Sequence, residues 1–284
     1  MKIGIIGGSG LYDIEGLTDV EEITLETPFG KPSDAYIHGK LAGKDVYFLP
    51  RHGRGHIYLP SEVPYRANIY GFKMLGVDAI ISVSAVGSMK EEIKPKDFVI
   101  ITQYFDRTKN RPSTFFGNGI VAHIPFDKPT CEMLNEIVYK ACIDEGIPVH
   151  REGTYICIEG PQFSTKAESK IYRRWGVDVI GMTNIPEAKL AREAEIPYSA
   201  VALATDYDVW KEGEEVNVEK VLATMAKNIE NAKKMLKSVI ETLKPEDIEN
   251  SYAKTALLGA IQTKKEYITE KAFKRLELLI KGRI

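Results

Sequence analysis

The chain alternates short continuous apolar runs with longer stretches of helical spacing. Lys2–Ile6, Asp45–Leu49, Ala79–Ser84, Phe98–Thr102, Thr154–Ile158, Val177–Met182 and Tyr198–Ala204 are rich in Ile, Val and Ala and bounded by Gly, Pro, Asp or Ser, which predicts buried strands. Between them, Glu62–Leu75 sets Val63, Ala67, Tyr70 and Met74 at helical intervals, and Pro129–Glu145 does so with Met133, Ile137 and Ala141. Gly76 and Gly146 stand where a left-handed cap would end these helices. Lys166–Trp175, Pro186–Ala194 and a long Val218–Leu243 are further predicted helices, with two more near Asp247–Gln262 and Glu270–Ile280. Strands alternating with helices make an α/β fold with a largely parallel or mixed central sheet. Such sheets bind ligands at the C-terminal ends of their strands, where most of the conspicuous polar residues here fall.

Composition narrows the function classes. At 284 residues, with no Gly/Ser- or Pro-rich linker and no internal repeat, the expectation is a main unit over 1–245 with a C-terminal helical extension, 246–284, packed on it. Thirty-eight basic against 40 acidic side chains leave a net charge of −2, which argues against a nucleic-acid partner. No apolar run approaches the ~20 residues of a membrane helix, and the opening residues lack the layout of a signal peptide. Three cysteines, Cys131, Cys142 and Cys157, without a CxxC pair, point to a reducing compartment and buried thiols. A cytoplasmic location without membrane contact is therefore expected.

Several strand ends carry candidate chemistry. Gly7-Gly8-Ser9-Gly10 lacks the third glycine and helix of a dinucleotide fingerprint, so it is either a tight turn or an anion nest with the Ser9 hydroxyl. Arg51-His52-Gly53-Arg54-Gly55-His56 offers guanidinium forks and imidazoles beside glycines, which fits an oxyanion site better than a chance basic loop. Zinc binding by His52 and His56 is not expected, because no carboxylate or thiolate accompanies them. Ser84-Ala85-Val86-Gly87-Ser88 is either close helix–sheet packing or a further anion donor from the Ser84 hydroxyl and Ala85 amide. Glu159-Gly160-Pro161-Gln162-Phe163-Ser164 and Gly181-Met182-Thr183-Asn184 supply an aromatic wall, a pliable apolar side chain and a hydroxyl. In Thr205-Asp206-Tyr207-Asp208, positions i and i+2 of a strand share a face, so Asp206 and Asp208 would project together. Two neighbouring carboxyls in a drying pocket raise one pKa and can offer a donor and an acceptor to a base; a solvated acidic turn is the alternative.

Together these segments resemble the purine-nucleoside phosphorylase family, in the branch that takes 5′-methylthioadenosine. The resemblance runs through GIIGGSG, TPFGKPSDA at Thr27–Ala35, RHGRGH, PSEVPYRAN from Pro60, SAVGS, FDRT from Phe105 and AHIP from Ala122. It continues through IEGPQFST from Ile158, MTNIPEAKLAREAEI from Met182 and ATDYDVW from Ala204, in family order, to about Leu243. It implies a three-layer α/β/α fold with a mixed sheet, and phosphate as co-substrate with no metal or organic cofactor. It further implies Ser9, Arg51, His52, Ser84, Ala85 and Thr183 around the phosphate. Phe163 and Met182 would lie against base and sugar, and Tyr207, between the two acids, would also bind the substrate. Asp206 and Asp208 would read the 6-amino group and N7 as catalytic residues. Ser164 and Val218 would be specificity positions, Val218 and Val221 would line the 5′ pocket, and His123 would be offered to a neighbouring subunit of a homotrimer or homohexamer. Aspartate at 206, where 6-oxopurine enzymes carry asparagine, points to adenine. A broader purine phosphorylase, a methylthioinosine phosphorylase, a nucleoside hydrolase and a non-catalytic nucleoside-binding protein remain as rivals.

Overall fold

The structure, a computed structural model, describes residues 1–8, 10–213 and 218–284, the side chains of Val218 and Lys220 excepted. Its strands are β1 (Lys2–Gly7), β2 (Thr18–Ile23), β3 (Tyr36–Leu41), β4 (Lys44–Pro50), β5 (Ala79–Ser88), β6 (Phe98–Arg107), β7 (Val149–Ile158), β8 (Val179–Gly181) and β9 (Tyr198–Asp206). Its helices are α1 (Tyr65–Leu75), α2 (Glu132–Asp144), α3 (Lys166–Arg174), α4 (Asn184–Glu193), α5 (Val218–Thr242) and α6 (Glu270–Ile280).

The strands form one sheet in the order β2-β3-β4-β1-β5-β8-β7-β6-β9, and β9 pairs back onto β5, so five of the strands close on themselves. Parallel pairs (β1–β4, β1–β5, β5–β9, β6–β7, β7–β8) mix with antiparallel ones (β3–β4, β5–β8, β6–β9), giving the mixed sheet expected. One layer of core joins α1 and α4 to the sheet through Ile69, Phe72, Ala188, Leu190 and Ala191. The other joins α2 and α5 through Leu134, Val138, Met235, Leu236 and Val239. Each of the larger aliphatic and aromatic side chains, fully buried, contributes about 1.5–3 kcal/mol. Cys131, Cys142 and Cys157 are free and buried, and burial pushes the Cys142 and Cys157 thiols up to about 12, so they serve as small apolar side chains.

Several expectations change. The β2–β3 hairpin was not foreseen: β2 is an exposed edge strand, and β3 is interrupted by His38-Gly39-Lys40, so neither shows a continuous apolar run. The first helix starts at Tyr65, because Pro64 takes the N-cap position. The inward face of α2 is Leu134, Val138, Ala141 and Cys142; Met133, 56% exposed, points outward. The helix expected near Asp247–Gln262 is replaced by three-ten turns at Pro245–Ile248 and Tyr252–Thr255, between which Ser251 Oγ accepts the Ala253 N–H and restarts the chain. Leu257, Leu276, Leu279 and Ile280 of the tail join the α1–α4 core layer. No helix among the described residues is long and apolar enough to cross a membrane.

Candidate active site

A cavity of about 430 Å³ opens at the C-terminal ends of the central strands. That is within the size range of small-ligand sites. Gly8 and Gly10 reach it from the end of β1, Arg51 and His52 from β4, Ser84 to Gly87 from the second half of β5, and Phe163 and Ser164 from beyond β7. Met182 and Thr183 follow β8, Asp206 and Asp208 close β9, and Val221, Met225 and Ile229 of α5 form the remaining wall. Thus Arg51, His52, Ser84, Ala85, Phe163, Ser164, Met182, Thr183, Asp206, Asp208 and Val221 are brought together as expected. Tyr207 is not among the lining residues; it is buried with its ring edge-on to Trp210 at 5.7 Å. His123 is exposed and away from the cavity, its backbone N–H donating to the Ala260 carbonyl. Ser9 and the Val218 side chain lie outside the described residues.

The basic loop is divided in its roles. Arg51, 3% exposed, donates from Nε to Glu187 Oε2 (2.8 Å) and from its terminal nitrogens to Glu187 Oε1 (3.1 Å), Ser82 Oγ (2.7 Å) and the Val83 carbonyl (3.1 Å). Arg54 turns away to the surface and pairs with Glu22 and Asp34, so the expected cluster of two arginines is not formed. His52 Nδ1 lies 2.8 Å from the Tyr58 carbonyl, which can only accept, so that nitrogen carries the proton. Burial lowers the His52 pKa to about 4, with Arg51 and His56 adding to the effect against the Tyr58 carbonyl. The ring is therefore neutral near pH 7 and adds no charge to the cavity. His56 stacks on it at 4.2 Å.

Among the described residues two hydroxyls remain for a ligand at this end. Ser84 Oγ is buried without a well-formed hydrogen bond, its interaction with the Tyr155 hydroxyl being marginal. Thr183 lines the cavity at the N-cap of α4 but makes no side-chain cap bond, which leaves its hydroxyl for a ligand. A buried hydroxyl without a partner costs about 1–3 kcal/mol, so its retention beside the Arg51–Glu187 pair marks a place for an acceptor.

At the other end the two aspartates meet, though not as strand neighbours. Asp206 ends β9, whereas Asp208 lies beyond it with φ 53°, so the expected strand alternation does not bring them together. The turn does. The Asp208 N–H donates to Asp206 Oδ1 at 2.8 Å, and the Thr205 hydroxyl reaches Asp206 Oδ2 at 2.7 Å. Asp208, 4% exposed, accepts from the Ser169 hydroxyl of α3 at 2.5 Å. Burial raises the Asp208 pKa and the Asp206 charge adds to the rise, while Ser169 and the Val209 N–H oppose it. A Cβ on Gly87 would stand 3.2 Å from Asp206 Oδ1 and 3.3 Å from Asp208 Cβ, so glycine gives both acids their room. Ser164 Oγ is buried nearby without a partner among the described residues, and Phe163, 68% exposed, hangs over the mouth.

Glu187, Ser82, Ser169 and Thr205 hold site residues in roles that no motif in the sequence assigns to them. Glu187 did leave a signal: it stands three and four residues before Leu190 and Ala191, which places a carboxylate on an apolar helix face. Among the described residues no three His, Cys, Asp or Glu side chains gather as a metal site.

Comparison with known proteins agrees with this geometry. The S-methyl-5′-thioadenosine phosphorylase of Geobacter sulfurreducens is 56% identical over 280 residues, 98% of this chain and 97% of its own. The protein of the same name from Thermosynechococcus vestitus is 53% identical, covering 98% of each chain. Among solved structures, a methylthioadenosine phosphorylase from an Antarctic soil metagenomic library superposes with TM-score 0.92 at 48% identity, over 98% of each chain. The Schistosoma mansoni methylthioadenosine phosphorylase in complex with adenine does so with TM-score 0.86 at 36% identity, over 92% of this chain and 99% of its own. Residues 2–241 match the phosphorylase superfamily, and with relatives this similar along nearly the whole chain, the protein belongs to that superfamily and to its S-methyl-5′-thioadenosine phosphorylase family.

Proposed function

We propose that the protein splits S-methyl-5′-thioadenosine with inorganic phosphate, giving adenine and 5-methylthioribose 1-phosphate. The observation that carries this reading is the polarity of the cavity: a floor of Arg51, Ser84 and Thr183 at one end, a pair of aspartates at the other, and apolar walls between. Phosphate lies on the floor beneath the ribose. The C1′–N9 bond lengthens first, its electron pair passing into the purine, and the phosphate charge stabilises the resulting oxocarbenium character. Asp206 hands a proton, or a strong hydrogen bond, to N7 as general acid. Asp208 accepts from the 6-amino group or tunes Asp206. A phosphate oxygen then bonds to C1′.

The Thr205 hydroxyl supports the role of Asp206. It has one hydrogen and lies 3.1 Å from the Val86 carbonyl and 2.7 Å from Asp206 Oδ2. It holds Oδ2 while the Asp208 N–H holds Oδ1, so the carboxyl is oriented from both sides. Val221, Met225 and Ile229 support an apolar 5′ pocket that takes a methylthio group. An exposed His123 is available to complete a neighbouring subunit's site in a homotrimer or homohexamer.

The deciding experiment is adenine release from methylthioadenosine with and without phosphate, alongside adenosine and inosine. Phosphate-dependent cleavage favouring methylthioadenosine is expected. Preference for inosine overturns the base-recognition argument, and phosphate-independent release makes the protein a hydrolase.

A further inference from the structure

Arg51 is more constrained than a phosphate-gripping arginine needs to be. A guanidinium has five N–H hydrogens. Nε gives one to Glu187, one terminal nitrogen gives its two to Glu187 and Ser82, and the other gives one to Val83. Among the described residues a single N–H is left without a partner, on the nitrogen that bonds Val83. The expected bidentate fork toward an anion is already occupied by Glu187, which is 1% exposed and equally fixed.

Glu187 is held in turn. Its Oε1 accepts from Ser82 Oγ (2.6 Å) and Tyr198 Oη (2.8 Å) as well as from Arg51, while Oε2 takes the Arg51 Nε–H. Ser82 donates to Glu187 and accepts from Arg51 and from Asn184 Nδ2 at 3.2 Å. The carboxyl group thus receives four donors, which fix its orientation. The same short helix segment carries Thr183 into the cavity and Glu187 beneath it, so the hydroxyl and the arginine are set by one element.

We propose that Glu187 is a positioning residue for the anion end of the site: it fixes the plane of Arg51 so that one N–H faces the phosphate, and it neutralises the buried guanidinium. The site then holds phosphate through aimed dipoles and hydroxyls around a balanced ion pair. This rests on the phosphorolytic reading above. A buried ion pair is costly to desolvate and adds little stability over apolar residues of the same volume. A geometric role accounts for keeping it directly under a ligand floor.

The test uses Glu187→Gln, which keeps the volume but places a donor against Arg51, Ser82 or Tyr198, and Ser82→Ala as a milder variant that leaves the ion pair. Steady-state kinetics should show the phosphate KM raised at least 10-fold in Glu187→Gln and several-fold in Ser82→Ala, with the methylthioadenosine KM within about 2-fold of the parent. The second readout is the shift of the unfolding temperature on adding inorganic phosphate without nucleoside. The parent should be stabilised, and Glu187→Gln should lose most of that shift. An equal phosphate shift and unchanged phosphate KM in either folded variant overturns the positioning role alone. A parent protein that gains no stability from phosphate overturns the anion-site reading, and the proposal with it.

Discussion

The backbone N–H of Asp208 donates to the carboxylate of Asp206 at 2.8 Å, so the first acid is oriented by the turn that presents the second. The left-handed residue at 208 is what folds the chain back over the strand end. Asp206 remains partly exposed to the cavity and Asp208 lies buried beneath it against α3. The two carboxyls therefore have unequal environments, the condition for unequal roles.

Replacing Asp206 by Asn keeps the acceptor for the Asp208 N–H but removes the transferable proton. General-acid assistance accounts for about 10²- to 10⁴-fold in rate, so turnover of methylthioadenosine should fall by that order with little change in KM. The amide suits a carbonyl at C6, so the ratio of methylthioinosine to methylthioadenosine cleavage should rise. Parallel assays of both nucleosides check this, and unchanged methylthioadenosine kinetics would remove Asp206 from the mechanism.

Ser169→Ala withdraws the hydroxyl that holds the Asp208 pKa down. With only the Val209 N–H left to oppose burial and the Asp206 charge, that pKa rises further. A carboxyl whose folded pKa lies above its unfolded value binds its proton more tightly in the native state. Its contribution to stability is then present at acid pH and lost as pH rises through the folded value. The variant should lose about 2 kcal/mol at neutral pH, the worth of a hydrogen bond to a buried charge, and less at acid pH. The acid limb of its rate profile should also move to higher pH. Denaturant unfolding at two pH values, with a pH–rate series, separates this from a plain packing defect, which would cost the same at both.

Much of this arrangement was legible from the residues themselves. The short apolar runs located the seven inner strands, and the polar tetrapeptides at their ends located the cavity, because in an α/β sheet strand ends converge on one edge. What was not legible depended on partners distant in sequence. The direction of Arg54 is decided by Glu22 and Asp34 on the β2–β3 side, and nothing local distinguishes it from Arg51. The commitment of Arg51 to Glu187 spans 136 residues. The pairing of Asp206 with Asp208 was anticipated for the wrong reason: the strand stops at 206, and a left-handed turn accomplishes what alternation was expected to do.

Glu193 gives a stability prediction away from the chemistry. It accepts from the Thr114 hydroxyl at 2.5 Å and the Phe115 N–H at 2.7 Å, yet burial outweighs both and raises its pKa to about 7. Folding is therefore favoured by its proton below the unfolded value, and that advantage is lost between about pH 4.5 and 7, at a cost of about 3 kcal/mol. Glu193→Gln keeps the shape and one acceptor without the charge. Its unfolding temperature should exceed that of the parent at pH 8 by on the order of 5 °C, with the gap closing toward pH 4.5. A gap that does not depend on pH would mean that Glu193 does not titrate in this range.

Ser84 separates function from stability most cleanly. Its residue lines the cavity, and its hydroxyl is buried with only a marginal interaction with Tyr155 among the described residues. In the free protein such a group is a burden of about 1–3 kcal/mol, so Ser84→Ala should leave stability unchanged or slightly higher. With phosphate bound, the same hydroxyl would donate to a charged oxygen, a bond worth about 1.5–3 kcal/mol, so the phosphate KM should rise at least 10-fold. The methylthioadenosine KM should stay near its parent value, since Asp206 and Asp208 hold the other end of the cavity. Thermal unfolding and two-substrate kinetics on one variant give both halves of the answer. A fall of several degrees with the phosphate KM unmoved would assign the hydroxyl to Tyr155 and the strand, and take it out of the anion floor. The opposite pattern, a stable protein that has lost its hold on phosphate, is what a side chain kept for a ligand should produce.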